Sequence, residues 1–225
     1  DNEIIACCEK LVQSGSVSAG DIVFHCSGAL TSSVLSSAKN SGCLIASIHP
    51  VKSFADPSKS VKSFKGTYCG IEGDPQANKT VGKAFKTIGG KIFDLDPSYK
   101  TIYHSASVMI CNYLVSLLDI GISTYIKSGI KRKTALQLME PIVRGTLDNV
   151  FKLDTVKALT GPIARGDHSI VSKQLKDLNI WDKDIGEFYR LMGRLTLKLS
   201  RAQKSARPED LEVLRELLSS NSDEK

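Results

Sequence analysis

Residues 103–126 place the strongest constraint on how this chain can fold. The segment reads YHSASVMICNYLVSLLDIGISTYI, and its apolar residues occur on every side of a helix with 3.6 residues per turn. A helix without a polar face belongs either in a protein core or in a membrane. Roughly 20 apolar residues are enough to cross a bilayer, so both alternatives apply to this segment.

Polar residues within the segment favour the protein core. Asn112 and Asp119 lie inside it, together with several Ser, Thr and Gly residues. A carboxylate at the centre of a bilayer costs about 2.5–3.5 kcal/mol even on the more permissive insertion scale. We therefore expect a buried central helix and no membrane association. Tyr103, His104 and Asn112 would then form a polar site near the start of that helix.

The composition is that of an ordinary globular protein, with 41% hydrophobic and 24% charged residues in a chain of 225. This length is sufficient for one large domain or two smaller ones. A net charge of +6 with only 6% aromatic residues gives no support to nucleic-acid binding. Six cysteines without a CxxC pair are expected to be reduced, buried thiols of a cytoplasmic protein, and no metal site is expected.

Strand-like and helix-like patterns alternate over residues 1–95. Short apolar runs typical of strands occur at residues 22–26, 43–48, 67–71 and 91–95, with helical patterns before and between them. This alternation predicts an α/β domain with a parallel sheet over residues 1–95.

The ends of the first two predicted strands carry polar, turn-forming residues. In parallel sheets, ligands bind beyond the carboxyl ends of the strands. The residues expected at this binding edge are His25, Ser27, Gly28, His49 and Pro50. Turn formation alone would explain the same residues without a ligand.

From residue 96 onward the sequence is helical throughout. Asp96-Pro97 is a typical helix start, and helices are predicted over 134–152, 167–178 and 183–200, with a last one from Pro208. A kink is expected at Pro141, because proline removes a helical hydrogen bond. Residues 96–225 are therefore predicted to form an all-helical domain.

This plan, a half-sheet leading through one long helix into a helical domain, resembles that of the 6-phosphogluconate-dehydrogenase-like reductases. Collinear runs sharpen the resemblance; they are residues 25–30, 48–50 with 53–57, 70–74, 103–104 with 112–113, 141–146, and 159–167. Together they are similar to the Rossmann-like oxidoreductases that carry the C-terminal domain of unknown function 2520. The resemblance implies a partial Rossmann-type parallel sheet, a helical C-terminal domain over residues 96–225 that binds substrate and dimerises, NADP or NAD as cofactor, and a homodimer.

One feature of that family does not occur in this sequence. Its members begin with a GxGxxG turn, whose glycines let the backbone approach the cofactor phosphates at a helix N-terminus. Gly70-Ile71-Glu72-Gly73 has the wrong spacing and a carboxylate where phosphate would lie. We therefore expect that the sequence starts inside the Rossmann domain. A naturally reduced, cofactor-free relative is the alternative, and in both cases these residues alone should bind NADP or NAD weakly.

Histidines are the candidate proton donors for a reductase, because their pKa lies near neutrality. His104 is the predicted catalytic residue, with Asn112 two turns further along the same helix. His25 and His49 would lie near the nicotinamide, whereas His168 follows a helix cap and is set aside. Each of these histidines could instead serve the structure alone.

Two arginines are candidate anchors for an anionic substrate group, because guanidinium binds carboxylate in a bidentate manner. These are Arg144 and Arg165, and both could instead tie helix ends and loops together. The function predicted by these observations is a nicotinamide-dependent oxidoreductase acting on a small, anionic substrate. The alternative is a non-catalytic binding or dimerisation module that has lost the dinucleotide site.

Overall fold

The computed structural model describes residues 1–54 and 56–219. Ala55, within the run 53–57, and residues 220–225, at the end of the predicted helical domain, lie outside the described residues. The chain divides into two compact units, Asp1–Leu117 and Leu118–Lys225. The predicted boundary between residues 95 and 96 stays a prediction, and the two units are described separately.

The first unit begins with the predicted alternation of strands and helices. Its elements are α1 (Ile4–Gln13), β1 (Ile22–His25), a 3-10 turn (Ser32–Leu35), α2 (Ser36–Asn40), β2 (Leu44–Pro50), α3 (Pro57–Lys62), β3 (Tyr68–Gly73), α4 (Pro75–Thr87) and β4 (Lys91–Asp94). Each strand overlaps a predicted apolar run, so the α/β assignment is confirmed.

The sheet has the order β1-β2-β3-β4 and is mostly parallel. β1 is parallel to β2, and β3 is parallel to β4, but β2 and β3 are antiparallel. In the described part of the connection between β2 and β3, the only helix is the six-residue α3. This part of the chain lacks the long crossover helix that a parallel connection normally uses. As a result, β1 and β2 end at one edge of the sheet, and β3 and β4 end at the other.

Apolar side chains cover the two faces of the sheet unequally. On one face, Ile48, Cys69 and Ile71 pack against Val81 of α4. On the other face, α1 and α2 cover only the region around Val23 and Ile45 at the starts of β1 and β2. Since side chains alternate between faces along a strand, the later positions of β1 and β2 on this second face remain available for polar residues.

The cysteines are free thiols, but only half of them are buried. Cys8, Cys43 and Cys69 are buried, whereas Cys7, Cys26 and Cys111 are exposed. The expectation that all six would be buried is therefore wrong for three of them, because an apolar neighbourhood in sequence does not decide which side of an element faces the core.

A continuous helical run of 31 residues, Pro97–Lys127, follows the sheet. It comprises a 3-10 turn (Pro97–Tyr99), α5 (Lys100–Ser107), a π-helical segment (Val108–Asn112) and α6 (Tyr113–Lys127). The Asp96 carboxylate caps its start by accepting the N–H of Ser98 at 2.8 Å. The helix therefore begins earlier than the apolar segment that identified it.

The expectation that this helix is buried is wrong for the described chain. Only 6% of its most apolar window is buried, and the mean hydropathy of that window is 1.6. Ile102 is 71% exposed, and Ile110 and Val115 are both 68% exposed. By length and composition the helix could cross a membrane, a criterion that core helices also meet. A helix with apolar residues on every side needs an apolar environment. The described chain leaves most of the surface of this helix exposed.

The second unit is helical, as predicted. After the end of α6 it contains α7 (Arg132–Ala158), α8 (Pro162–Arg165), α9 (His168–Trp181), α10 (Lys183–Gln203) and α11 (Pro208–Ser219). Its core consists of Val171, Leu197, Leu211, Leu214 and Leu218.

Helix α7 contains the predicted helix 134–152 but differs from the prediction in where its backbone breaks. Pro141 lies inside it, but the backbone leaves helical dihedral angles at Asp154, where φ is 70°. The backbone break therefore lies thirteen residues beyond the predicted one.

Candidate functional site

Two rows of residues cross the sheet on the second face, in the part that α1 and α2 leave uncovered. In the first row, His25 lies opposite Ser47, and Ser47 lies opposite Glu72. In the second row, His49 lies opposite Gly70. Directly opposed residues share a face of the sheet. Side chains alternate between faces along a strand, so His49 and Ser47, two residues apart, also lie on the same side of β2.

His25 is held by the loop that follows β1. Its Nδ1 accepts the N–H of Ser27 at 3.1 Å, and its Nε2 lies 3.1 Å from the carbonyl oxygen of Thr31. Because an amide N–H can only donate, the ring is neutral and its Nε2–H donates to Thr31. Burial lowers the pKa of His25, which also favours the neutral ring.

The other residues predicted at this edge are also engaged locally. The Ser27 hydroxyl accepts the N–H groups of Ala29 and Leu30 at 3.2 and 3.0 Å, which shapes the turn. Pro50 is buried and pairs with Cys69 at the end of β2. Turn formation accounts for these contacts, and cofactor binding by these residues stays a prediction.

His49 meets two side chains of α5. Its Nδ1 lies 2.8 Å from the phenolic oxygen of Tyr103, and its ring centroid lies 5.7 Å from that of His104. Burial raises the pKa of Tyr103 to about 12, so the phenol keeps its proton at neutral pH and can donate it to His49. Burial lowers the pKa of His49, and the neighbouring His104 and Lys100 lower it further.

Gly28 makes room for both imidazoles. A Cβ atom added to Gly28 would lie 2.7 Å from Nε2 of His49 and still closer to Nδ1 of His104. Contacts under 3.0 Å are essentially never made by real Cβ atoms. The glycine that the sequence singled out is therefore required by the packing of these two rings, and its contact with a cofactor stays a prediction.

His104 carries an unsatisfied buried atom. Among the residues that the structure describes, its Nδ1 is buried without a hydrogen-bond partner. Buried polar atoms nearly always have a partner, so this atom requires an explanation. His104 is the fifth residue of α5, beyond the first turn within which the helix dipole acts.

A cavity of about 220 Å³ adjoins His104. Its lining residues are Ala29, Thr101, His104, Ser105, Val108, Met109 and Tyr113. The π-helical segment supplies Val108 and Met109, and π-helical turns are frequent at functional sites. This segment also changes the angle between His104 and Asn112 from that of a regular α-helix. Asn112 is exposed and is not among the lining residues, so its catalytic role stays a prediction.

The two candidate anchors for an anionic group lie in the second unit. Arg144 donates through Nε to Glu140 at 2.9 Å on the same helix, and Arg165 is exposed at the end of α8. Their role in substrate binding stays a prediction. Within residues 1–54 and 56–219, His, Cys, Asp and Glu side chains form no group of three or more that could hold a metal ion.

Sequence analysis missed a buried polar group beside the predicted site. Lys100, Glu72 and Ser47 are all less than 5% exposed and contact one another. A signal was available, because Glu72 interrupts an apolar strand and Lys100 precedes His104 by four residues, which places both on one helix face.

The stability of the protein is expected to fall as the pH is lowered from about 7 to about 5. Burial lowers the pKa of His25 and His49 below the ordinary 6.5, so in this range the unfolded chain binds protons that the folded chain does not. Their contribution is fully present above the unfolded pKa and is lost as the pH falls through the folded values. Urea unfolding across this range measures the effect, and His49→Gln should reduce the slope. A free energy of unfolding that is constant over the range would contradict the prediction.

Two family models match different parts of the chain. The model of the domain of unknown function DUF2520 matches residues 67–196, and a Rossmann-like domain model matches residues 1–50. A search of functionally curated proteins gives no significant match.

Solved structures share this fold. Protein TM1727 from Thermotoga maritima is 27% identical, with 91% of this chain and 76% of that chain covered and a TM-score of 0.73. BF3122 from Bacteroides fragilis, named provisionally as an NADP oxidoreductase, is 21% identical, with 81% and 64% covered and a TM-score of 0.63. The second likeness shows the fold alone. Because the first family model matches more than half of its residues, the chain belongs to the DUF2520 family, with a Rossmann-like region at residues 1–50.

Proposed function

We propose that this chain forms part of a nicotinamide-dependent oxidoreductase that reduces or oxidises a small substrate beside His49 and His104. The observation that carries the proposal is the unpartnered Nδ1 of His104, which lies over Gly28, next to His49, in a side chain that borders a cavity. The Rossmann-like region and the reductase-like fold support the same reaction class.

The residues at the strand ends fit the reacting end of a nicotinamide cofactor. The Ser27-Gly28 turn and His49 would hold that end, and His104 packs against Gly28 beside them. A dinucleotide also needs a glycine-rich turn for its phosphates, and the described residues contain no GxGxxG motif. When bound, the cofactor would supply or accept the hydride.

The side chains of Tyr103, His49 and His104 surround the place where a proton would be transferred together with the hydride. Reduction of a C=O or C=N bond requires a proton on oxygen or nitrogen. We assign the proton of His104 to Nε2, because this leaves a lone pair and not an N–H at the buried, unpartnered Nδ1. Nδ1 of His49 shares a hydrogen bond with the phenol of Tyr103, and its Nε2 lies beside Gly28.

The cavity beside His104 limits the substrate to a small molecule. Its polar lining comes from the hydroxyls of Thr101, Ser105 and Tyr113 together with His104, and the seven lining residues include no Lys or Arg. That the substrate carries an anionic group is a further part of the proposal. Arg144 and Arg165 are not among the residues that line this cavity, and their role as anchors stays a prediction.

Cofactor binding and turnover test the proposal directly. The protein, with every residue that its gene encodes, is titrated with NADPH and NADH by calorimetry. It is then assayed for NADPH oxidation with a panel of small carbonyl and imine compounds. We expect binding in the micromolar range and turnover of at least one compound, whereas the 225 residues alone should bind weakly. If the complete protein binds neither cofactor, the chain is a non-catalytic binding or dimerisation module.

We further propose that the chain forms a homodimer, because its helices leave large apolar side chains exposed. On α7 these are Leu136, Leu138, Ile142, Leu147, Phe151 and Leu153; on the helix Pro97–Lys127 they include Ile102, Met109, Ile110, Tyr113 and Val115. Exposed apolar patches mark interaction sites on protein surfaces. The carboxylate of Asp119, within the same long helix, argues for a protein partner over a lipid one.

Light scattering without detergent is expected to give about twice the chain mass of 24.4 kDa. Phe151 is 87% exposed, and Phe151→Glu should weaken the dimer by roughly tenfold or more, because buried aromatic anchors dominate interfaces. Val61 is 77% exposed on α3, outside these helices, and Val61→Glu is the matched control. A parent protein that remains at 24.4 kDa at high micromolar concentration would contradict the proposal.

A further inference from the structure

Lys100 and Glu72 form an ion pair inside the first unit. Nζ of Lys100 lies 2.8 Å from Oε1 of Glu72, and the two side chains are only 1% and 4% exposed. Nζ also donates to the hydroxyl of Ser47. The Glu72 carboxylate accepts the N–H and the hydroxyl of Ser32 at 2.8 and 2.7 Å. Both charged groups are therefore provided with hydrogen-bond partners.

Stability alone is a weak reason for a pair in this position. Removing two charges from water costs about as much as their attraction returns, so apolar residues of similar size often serve stability equally well. Burial lowers the pKa of Lys100, whereas Glu72 opposes that change, which reflects the same balance. The location of the pair offers a more specific reason.

The pair joins the first turn of α5 to the first row of residues across the sheet. Lys100 is the first residue of α5, and Tyr103 and His104 follow it by three and four residues on the same helix face. Glu72 lies opposite Ser47, and His49 follows Ser47 on the same face of β2. Because Lys100 is bound to Glu72 in the first row, the next turn of α5, with Tyr103 and His104, lies over His49 in the second row.

We propose that Lys100 and Glu72 are positioning residues, which hold Tyr103 and His104 in register with His49 and Gly28. Neither residue lines the cavity beside His104. The pair can therefore affect the reacting site only by fixing the positions of α5 and β2. The proposal rests on the proposed function only in treating the three rings as the reacting site.

The pair is tested with Lys100→Met, Glu72→Gln and the double variant, studied by thermal unfolding and by long-range ¹H–¹⁵N spectra of the imidazoles. Each single change leaves one buried group without its partner and should lower Tm by roughly 6–20 °C. The double variant removes both charges and should recover most of that loss. Its spectra should nevertheless show that Nδ1 of His49 has lost its hydrogen bond to Tyr103 and that the His104 signals have shifted.

Two further variants make the result decisive. Glu72→Asp keeps the charge but withdraws the carboxylate by one methylene, so it should shift the signals of His49 and His104 in a folded protein. Lys39→Met, which breaks the exposed ion pair between Lys39 and Asp74, should leave those signals unchanged. If the imidazole spectra of Glu72→Asp and of the double variant match the parent, the pair does not position the rings. These spectra need no cofactor or substrate, so the outcome is independent of whether the protein is a reductase.

Discussion

His104→Asn is expected to lower turnover by roughly 10²–10⁴-fold, the usual contribution of a positioned acid–base group. Asparagine is polar and of similar reach, and it removes the proton that we assign to Nε2. Because Nδ1 of His104 makes no hydrogen bond within the described chain, the substitution should leave Tm nearly unchanged. The measurement is NADPH oxidation by the complete protein with a compound that the panel identifies as a substrate.

His168→Asn is the matched control. His168 is exposed at the start of α9 in the second unit, and its nearest acidic partner is Asp210 at 4.0 Å. The control should turn over at the parental rate. If His104→Asn also did so while His49→Asn did not, the proton donor would be the histidine of the sheet, and His104 would serve packing alone.

Gly28→Ala is expected to disrupt the site by displacing the two imidazoles. The added Cβ would lie within 3 Å of both rings, so they would have to move apart. Overpacking of this kind costs about 1–3 kcal/mol. The hydrogen bond between His49 and Tyr103 should be lost from the imidazole spectra, and turnover should fall together with it.

A second glycine provides the control for this substitution. Gly121 lies within α6, and a Cβ added there would meet nothing within 4 Å. Gly121→Ala should stabilise the helix by up to about 1 kcal/mol, because alanine loses less entropy than glycine in a helix. If Gly28→Ala behaved like Gly121→Ala, with unchanged imidazole spectra, the close approach at Gly28 would be unimportant for the site.

Local patterns in the sequence were sufficient to predict the elements and their order. Periods of two and 3.6 residues are properties of consecutive residues, so β1 to β4 and the helical second unit could be recognised without tertiary information. The resemblance to the DUF2520 family is confirmed by the family model over residues 67–196. Sequence also singled out Gly28, His49 and His104, which the structure brings together.

The arrangement of those elements was less predictable. The reversal between β2 and β3 depends on how a 17-residue connection runs, and the strands themselves have the same pattern in either direction. The long helix was expected to be buried because it is apolar on every side. That pattern shows that the helix needs a partner surface, but it does not say whether the same chain supplies it.

The sequence by itself determined which residues could form the site: the polar ends of β1 and β2, the close glycine and the histidine of the following helix. Only the tertiary structure decided how they are used. The register of β2 and β3 places Glu72 opposite Ser47, and the ion pair of Glu72 with Lys100, 28 residues further along the chain, is buried over that row. The π-helical segment lies between His104 and the cavity-lining Tyr113. Strand register and helix phase arise from packing between distant segments, and a local sequence pattern does not record them.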